Sequence, residues 1–464
     1  MKRVVHWSGS VGAAAAALTL AGCGKEYPDT TPPDRAFESG VEWVQRLGDT
    51  GDERIADVIE DNQGNLLLIG SFSGTTVLGA GQVSSAGADD VFLAKLDGQG
   101  ELLWSHTFGA QAVDAGRAIA TDGSGNVFAA GSFSDGVDFG GGALTAAGQD
   151  GFVVKLDGAG QHLWSSSIGG TGTDQVTAVV ATSDGHLLAV GSFADSITLG
   201  QDQLTSAGDL DVFAVKLDPA GDVVWSAAFG GPGTDVAHAV TRDDADQLVI
   251  TGEHGGSMTV GDTTLDGAGG SDGFVIKLSP RGQHVWSRSL GSAADDDLGL
   301  RAAALGGGAL QLTGSFAEPL DLGGGELSTN GGRDIFVAKW SSNGDFAWNE
   351  TFGDSQTQLA LDVAVDGESN VHVAGQLYGR VAFWDVTRVE SGGGDALVFR
   401  LGAAGNPLRI NAFGDAAEQR STAVAPTADG AVIVAGDFYQ TIDFGSGPLT
   451  SLGERDLFIA RLER

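Results

Sequence analysis

Two series of acidic residues return about every sixty positions, and they are the part of this 464-residue chain best suited to chemistry. The first comprises Asp90, Asp150, Asp211, Asp272, Asp334, Asp395 and Asp456. The second comprises Glu53, Asp114, Asp174, Asp235 and Asp297, and continues as Gln358 and Gln419. Recurrent carboxylates can hold a divalent cation, or can act in pairs to cleave glycosidic bonds. Presence in every unit argues that the first series is structural, each aspartate accepting backbone N–H bonds in a tight turn. The second series stands just before the first strand of each unit. It is expected to ring one mouth of a channel, where Ca2+ or a cationic ligand could bind. No segment has the spacing of an EF-hand loop.

Other catalytic signatures are missing from the sequence. His106, His162 and His284 flank tryptophans on what should be a solvated rim, and His186 sits in a turn. His238 and His254 could share one face, but two histidines do not make a zinc site. There is no His-Glu-x-x-His helix and no nucleophile elbow. A lyase or glycosidase built on paired carboxylates is therefore the least favoured reading. The residues that break the repeat are better candidates for binding: Glu253 and His254 in the fourth unit, and Tyr378, Arg380, Trp384 and Arg388 in the sixth. Aromatic and arginine side chains are preferred anchors at interfaces. A balance of 61 acidic against 25 basic residues, net −36, excludes nucleic acid as a partner and favours cations or basic protein surfaces.

The elements that must position these residues follow from the repeat. Trp43, Trp104, Trp164, Trp225, Trp286 and Trp348 mark successive units, with Ile410 expected in the next place. Each unit begins with small apolar residues (Ala118-Ile119-Ala120) and turns through Gly and Asp. It then continues with a run ending in glycine (Val127 to Gly131), a Phe-bearing run (Asp150 to Leu156) and the Trp segment (His162 to Ser165). Short Val/Ile/Phe runs bounded by Gly/Asp turns are antiparallel strands. Four strands in seven units predict an all-β, seven-bladed β-propeller over residues 41–464. Side chains grow from Ala and Val in the first strand to Phe and then Trp, as wedge-shaped blades require. The domain opens with a fourth-strand segment, 41–48, and ends on a third-strand segment, 456–462. The N-terminal strand should therefore complete the last blade and close the ring. The longer segment between second and third strands should add a small hairpin to each unit.

Residues 1–22 read as a secretory leader, with Lys2 and Arg3 followed by an alanine-rich apolar stretch too short to span a bilayer. Leu20-Ala21-Gly22-Cys23 resembles the lipobox of bacterial lipoproteins, which implies lipidation of Cys23, the only cysteine. The membrane would then be met through that lipid alone. Gly24 rather than aspartate comes next, which in such proteins implies the outer membrane. Residues 23–40 are polar and Pro-containing, a tether. The phrase Asp90-Val91-Phe92-Leu93-Ala94-Lys95-Leu96, with Gly70-Ser71-Phe72 upstream, resembles the bacterial seven-bladed propeller (SBBP) repeat. Gly131-Ser132-Phe133 and Gly191-Ser192-Phe193 repeat its first half. The resemblance implies an exported binding or scaffolding propeller with no single established activity. Departures fall at Gly252-Glu253-His254, at Gly375-Gln376-Leu377 and at Leu397. The expectation is a lipid-anchored, non-catalytic scaffold for an envelope protein. The alternative is a glycan- or Ca2+-binding module, and no other cofactor is expected.

Overall fold

The computed structural model describes residues 40–78, 81–292, 299–383, 386–390 and 392–464. The leader, Cys23 and the tether up to residue 39 lie outside them, as do Asp297 and Trp384. In the first unit the strands are Asp52–Glu60, Leu66–Ser73, Asp90–Leu96 and Leu102–Phe108, joined in that order as an antiparallel meander. The third unit repeats the pattern with Gln175–Ala181, Leu187–Phe193, Asp211–Leu217 and Val223–Phe229. Seven such four-stranded groups succeed one another among the described residues. The last combines Gln419–Pro426, Val432–Asp443 and Pro448–Leu462 with Val41–Leu47, which pairs Val44 with Ala460 and Leu47 with Leu457. First strands of successive groups lie against each other, and that of the seventh lies against that of the first.

The core sits between neighbouring sheets. Leu188, Val190 and Val212 of the third unit pack with Leu248, Ile250 and Phe274 of the fourth in one buried cluster. The expected hairpins are present. Thr75–Val77 pairs with Gln82–Ser84 as a separate ribbon, whereas in the second and seventh units the hairpin simply extends the main strands.

Two irregularities recur, and they set where several key side chains point. Pairing of the first strand with the second skips one residue in each of six units, namely Ala56, Arg117, Thr177, His238, Leu361 and Thr422. Such a bulge re-aims the extra side chain. The opposing strand must be glycine there, because a Cβ on Gly70 would lie 2.1 Å from the Arg54 carbonyl oxygen. A second bulge falls in the fourth strand, one residue before the tryptophan, at Leu103, Leu163, Val224 and Val285.

Trp104, Trp164, Trp225 and Trp286 each tie their unit to the next through Nε1. Trp164 Nε1 donates to the Pro219 carbonyl at 3.1 Å, and Trp286 Nε1 to that of Ser342 at 3.1 Å. The ring of Trp164 rests on Gly221, whose φ of +92° and lack of a Cβ permit both the turn and the contact. The sixth unit requires a correction. Trp104 stands opposite Lys95, and the corresponding partner of Arg400 is Arg409, not Ile410. Ile410 is instead a fully buried core residue opposite Phe399. The reason is topological. Third and fourth strands of the seventh sheet are not joined by a turn, and the residue that meets the sixth sheet there is Gly40, which lies against the Arg409 guanidinium. Arg409 Nη1 reaches the Glu463 carbonyl at 2.9 Å instead.

Candidate functional site

The two carboxylate series converge. The aspartate before each third strand meets the acid before the first strand of the next unit, making a joint between sheets: Asp90 with Asp114, Asp150 with Asp174, Asp211 with Asp235, and Asp456 with Glu53. In Asp90, Asp211, Asp272, Asp334 and Asp456 one oxygen accepts a backbone N–H four residues back, as expected. Ala86 N donates to Asp90 Oδ2 at 2.9 Å and Ala207 N to Asp211 Oδ2 at 2.9 Å. The other oxygen, Oδ1, is buried without a hydrogen-bond partner in Asp90, Asp150, Asp211, Asp272, Asp334 and Asp456. A glycine covers it: a Cβ on Gly169 would sit 2.4 Å from Asp150 Oδ1.

The expected acidic mouth is therefore rearranged. Glu53, Asp114, Asp174 and Asp235 are fully buried and do not line the channel. Their carboxyls are held by backbone donors, such as Ala110 N and Ser134 N on Asp114 at 2.8 and 3.1 Å. Removal from water disfavours their charged forms, and a facing carboxylate adds to the cost. Burial, reinforced by Asp456, pushes Glu53 up to about 7. Asp174 and Asp235 are pushed by burial to about 6 and about 7. At two joints the second acid is an amide. Gln358 Oε1 and Asp334 Oδ1 both face Gly353, and Gln358 Nε2 donates to Asp354 Oδ1 at 3.0 Å. Gln419 repeats this with Asp395 and Asp415.

What the first strands present inward is an axial cavity of about 1080 Å3. The six bulge residues line it, between walls that are mostly alanine and valine. Sequence reasoning passed over this position, although it lies three residues after Glu53, Asp114, Asp174, Asp235, Gln358 and Gln419. The cavity also contains Arg54, Asp57, Asp89, Arg301, Asp362 and Arg420. Among the described residues, no group of three or more His, Cys, Asp or Glu side chains is arranged to hold a metal ion.

The residues that break the repeat do not form one patch. His254 is fully buried, its Nδ1 2.7 Å from the Gly256 carbonyl and its Nε2 2.8 Å from Ser289 Oγ, and burial lowers its pKa. It supports the fourth sheet. Glu253 accepts from Gly299 N at 3.0 Å and lies 3.4 Å from His238 Nδ1 at the cavity wall. Arg380 and Arg388 belong to one hairpin, Arg380–Phe383 with Val386–Val389. Arg380 is exposed, whereas Arg388 folds back to donate to the Ile410 carbonyl. Tyr378 is half-buried, its ring against Gly394.

On the outer edge, the fourth-strand bulge presents large apolar side chains in four consecutive sheets. Leu103 and Val224 are 52% exposed, Leu163 49% and Val285 46%, in a protein whose other aliphatic strand residues are mostly buried. Glu42 and Ala347 occupy the same position elsewhere and end the row.

No family model matches the chain. It is 26% identical over 207 residues to an uncharacterized WD repeat-containing protein, L264, of Acanthamoeba polyphaga mimivirus, covering 38% of this chain and 15% of that one. It is also 26% identical over 295 residues to the regulatory protein FlaEY of Caulobacter vibrioides, covering 58% of this chain and 30% of that one. The matches thus span less than a third of either relative. The chain is a β-propeller repeat protein. Similar solved structures include YCF48 bound to D1 peptide, at 12% identity, TM-score 0.44 and coverage of 91% and 97% of the two chains. The β-propeller domain of the Trilobed protease from Pyrococcus furiosus gives 7% identity, TM-score 0.45 and coverage of 88% and 93%.

Proposed function

We propose that this propeller is a closed seven-bladed ring, anchored by a lipid on Cys23 at the bacterial cell envelope, and that it acts as a non-catalytic scaffold holding a protein partner. The observation that carries the scaffold reading is the row of half-exposed Leu103, Leu163, Val224 and Val285. Repeated bulges put an apolar side chain into water at the same place on four successive edge strands, and burying such groups favours association. Pairing of Val41–Leu47 with Pro448–Leu462 supports a closed ring. The lipobox-like Leu20 to Cys23 supports the anchor, and Gly24 supports the outer membrane.

The test is crosslinking in intact cells, solubilisation and mass spectrometry of the captured proteins. It compares the wild-type chain with a variant carrying serine at all four rim positions. A partner captured reproducibly by the wild type and lost by the folded variant is expected. Equal capture by both would remove the rim from the interaction. In the same cells Cys23→Ala should move the protein out of the membrane fraction; continued membrane association would overturn the lipid anchor.

A further inference from the structure

The axial cavity has a charge balance opposite to that of the whole chain. Four arginines enter it, although the protein carries 61 acidic residues against 25 basic ones. The cavity's carboxyls are committed elsewhere. Asp89 accepts from Arg54 at 3.0 Å. Asp57 turns to the wall, where its Oδ2 accepts from Ile119 N at 3.0 Å. Asp362 does the same with both oxygens, accepting from Val363 N and Val424 N at 2.8 Å each. Burial, and then the charge of Asp362, push Asp57 up to about 8, so at neutral pH it is mostly uncharged. Burial raises Asp362 as well.

The arginines divide differently. Arg54 is tied to Asp52 and Asp89, and Arg420 to both oxygens of Asp437 at 3.1 Å. Arg301 Nη1 reaches the Gly299 and Leu300 carbonyls at 3.4 Å. Arg117 is the exception. It is the bulge residue of the second sheet, thrown into the cavity by its register shift, and no hydrogen bond or ion pair holds its guanidinium among the described residues. Enclosure by the surrounding first strands nevertheless lowers its pKa. The side chain itself is exposed, so its guanidinium can be reached by an anion entering the cavity. Five N–H donors in a planar fork match a carboxylate or phosphate. The alanine and valine walls leave space for an uncharged organic body, and the volume is that of a small-molecule site.

We propose that the axial cavity is a binding site for a small organic anion, whose carboxylate or phosphate group is held by Arg117 while its apolar body lies against the first strands. This site is independent of the outer rim and of any partner bound there. Two probes sharing one body and differing in head group, benzoate and phenyl phosphate, separate the two sources of anionic charge. Equilibrium dialysis and thermal unfolding of the full chain are measured with each probe in a zwitterionic buffer at low chloride. The expected result is saturable binding of at least one probe with a rise in melting temperature. In Arg117→Gln the binding should be weaker by about tenfold or more, the loss of a charge-assisted fork. Arg281→Gln, on an exposed turn, should bind as the wild type does. Without probe, Arg117→Gln should melt no lower than wild type, because the exposed guanidinium makes no structural hydrogen bond or ion pair among the described residues. Absence of saturable binding, undiminished binding by Arg117→Gln, or a probe-free variant that melts several degrees lower would each overturn the site.

Discussion

Replacing Glu53 by glutamine should stabilise the protein above neutral pH and do nothing in mild acid. Glu53 faces Asp456 in a joint where the glutamate Oε2 and the aspartate Oδ1 are both buried without hydrogen-bond partners. The folded-state pKa of Glu53 rises from 4.5 to about 7, so the folded protein binds a proton more tightly than the unfolded chain. The sign comes from linkage: stability falls as pH rises from about 4.5 to about 7, and levels off above. A shift of this size corresponds at face value to about 3 kcal/mol. Arg46 pairs with Asp456 and offsets part of the charge facing Glu53, and halving the figure leaves about 1–2 kcal/mol. The protein supplies its own precedent. Gln358 and Gln419 stand at the same position, each donating Nε2 to an aspartate four residues earlier, at 3.0 and 2.8 Å. Asp49 stands four residues before Glu53 and offers the same acceptor. Guanidinium unfolding monitored by tryptophan fluorescence between pH 4.5 and 8.5 provides the assay. Glu53→Gln should gain about 1–2 kcal/mol at pH 8 and converge with wild type near pH 4.5. A pH-independent offset, or a less stable variant at pH 8, would refute the protonated-joint argument.

Two further outcomes test the joints and the ties between units. Lys277 and Asp243 form an ion pair at 3.0 Å with both side chains at most 3% exposed. Lys277→Met should cost about 3–5 kcal/mol by stranding the carboxylate, and adding Asp243→Asn should restore most of it. A single-variant loss below about 1 kcal/mol would show that the pair is not desolvated as described. Gly169→Ala should cost about 1–3 kcal/mol, because its Cβ would meet Asp150 Oδ1 at 2.4 Å. Gly123→Ala, with nothing within 4 Å, should be close to neutral. Equal melting temperatures for the two variants would exclude a crowded joint.

Much of the fold was legible because it rests on local pattern. Short apolar runs, Gly/Asp turns and a sixty-residue period fix where strands begin and end. The offset between the opening segment at 41–48 and the closing one at 456–462 was enough to anticipate their pairing. The extra hairpins and the turn-capping role of Asp90 and its counterparts were also readable, since they depend on neighbours four residues away. The site was not readable in the same way. Asp90 and Asp114 look like members of two separate series until the third strand of one sheet is laid beside the first strand of the next. Only then do two structural carboxyls become a proton-binding joint.

What the sequence determined by itself is the number, order and type of the strands, because turn chemistry and side-chain alternation act over a few residues. What only the tertiary structure decided is the direction in which particular side chains face. Strand alternation has a period of two, so a one-residue bulge reverses the face to which the residues beyond it point. That reversal puts Arg117 into the axial cavity and Leu103 onto the rim. A bulge is a property of the register between two strands, and register exists only after the strands have paired.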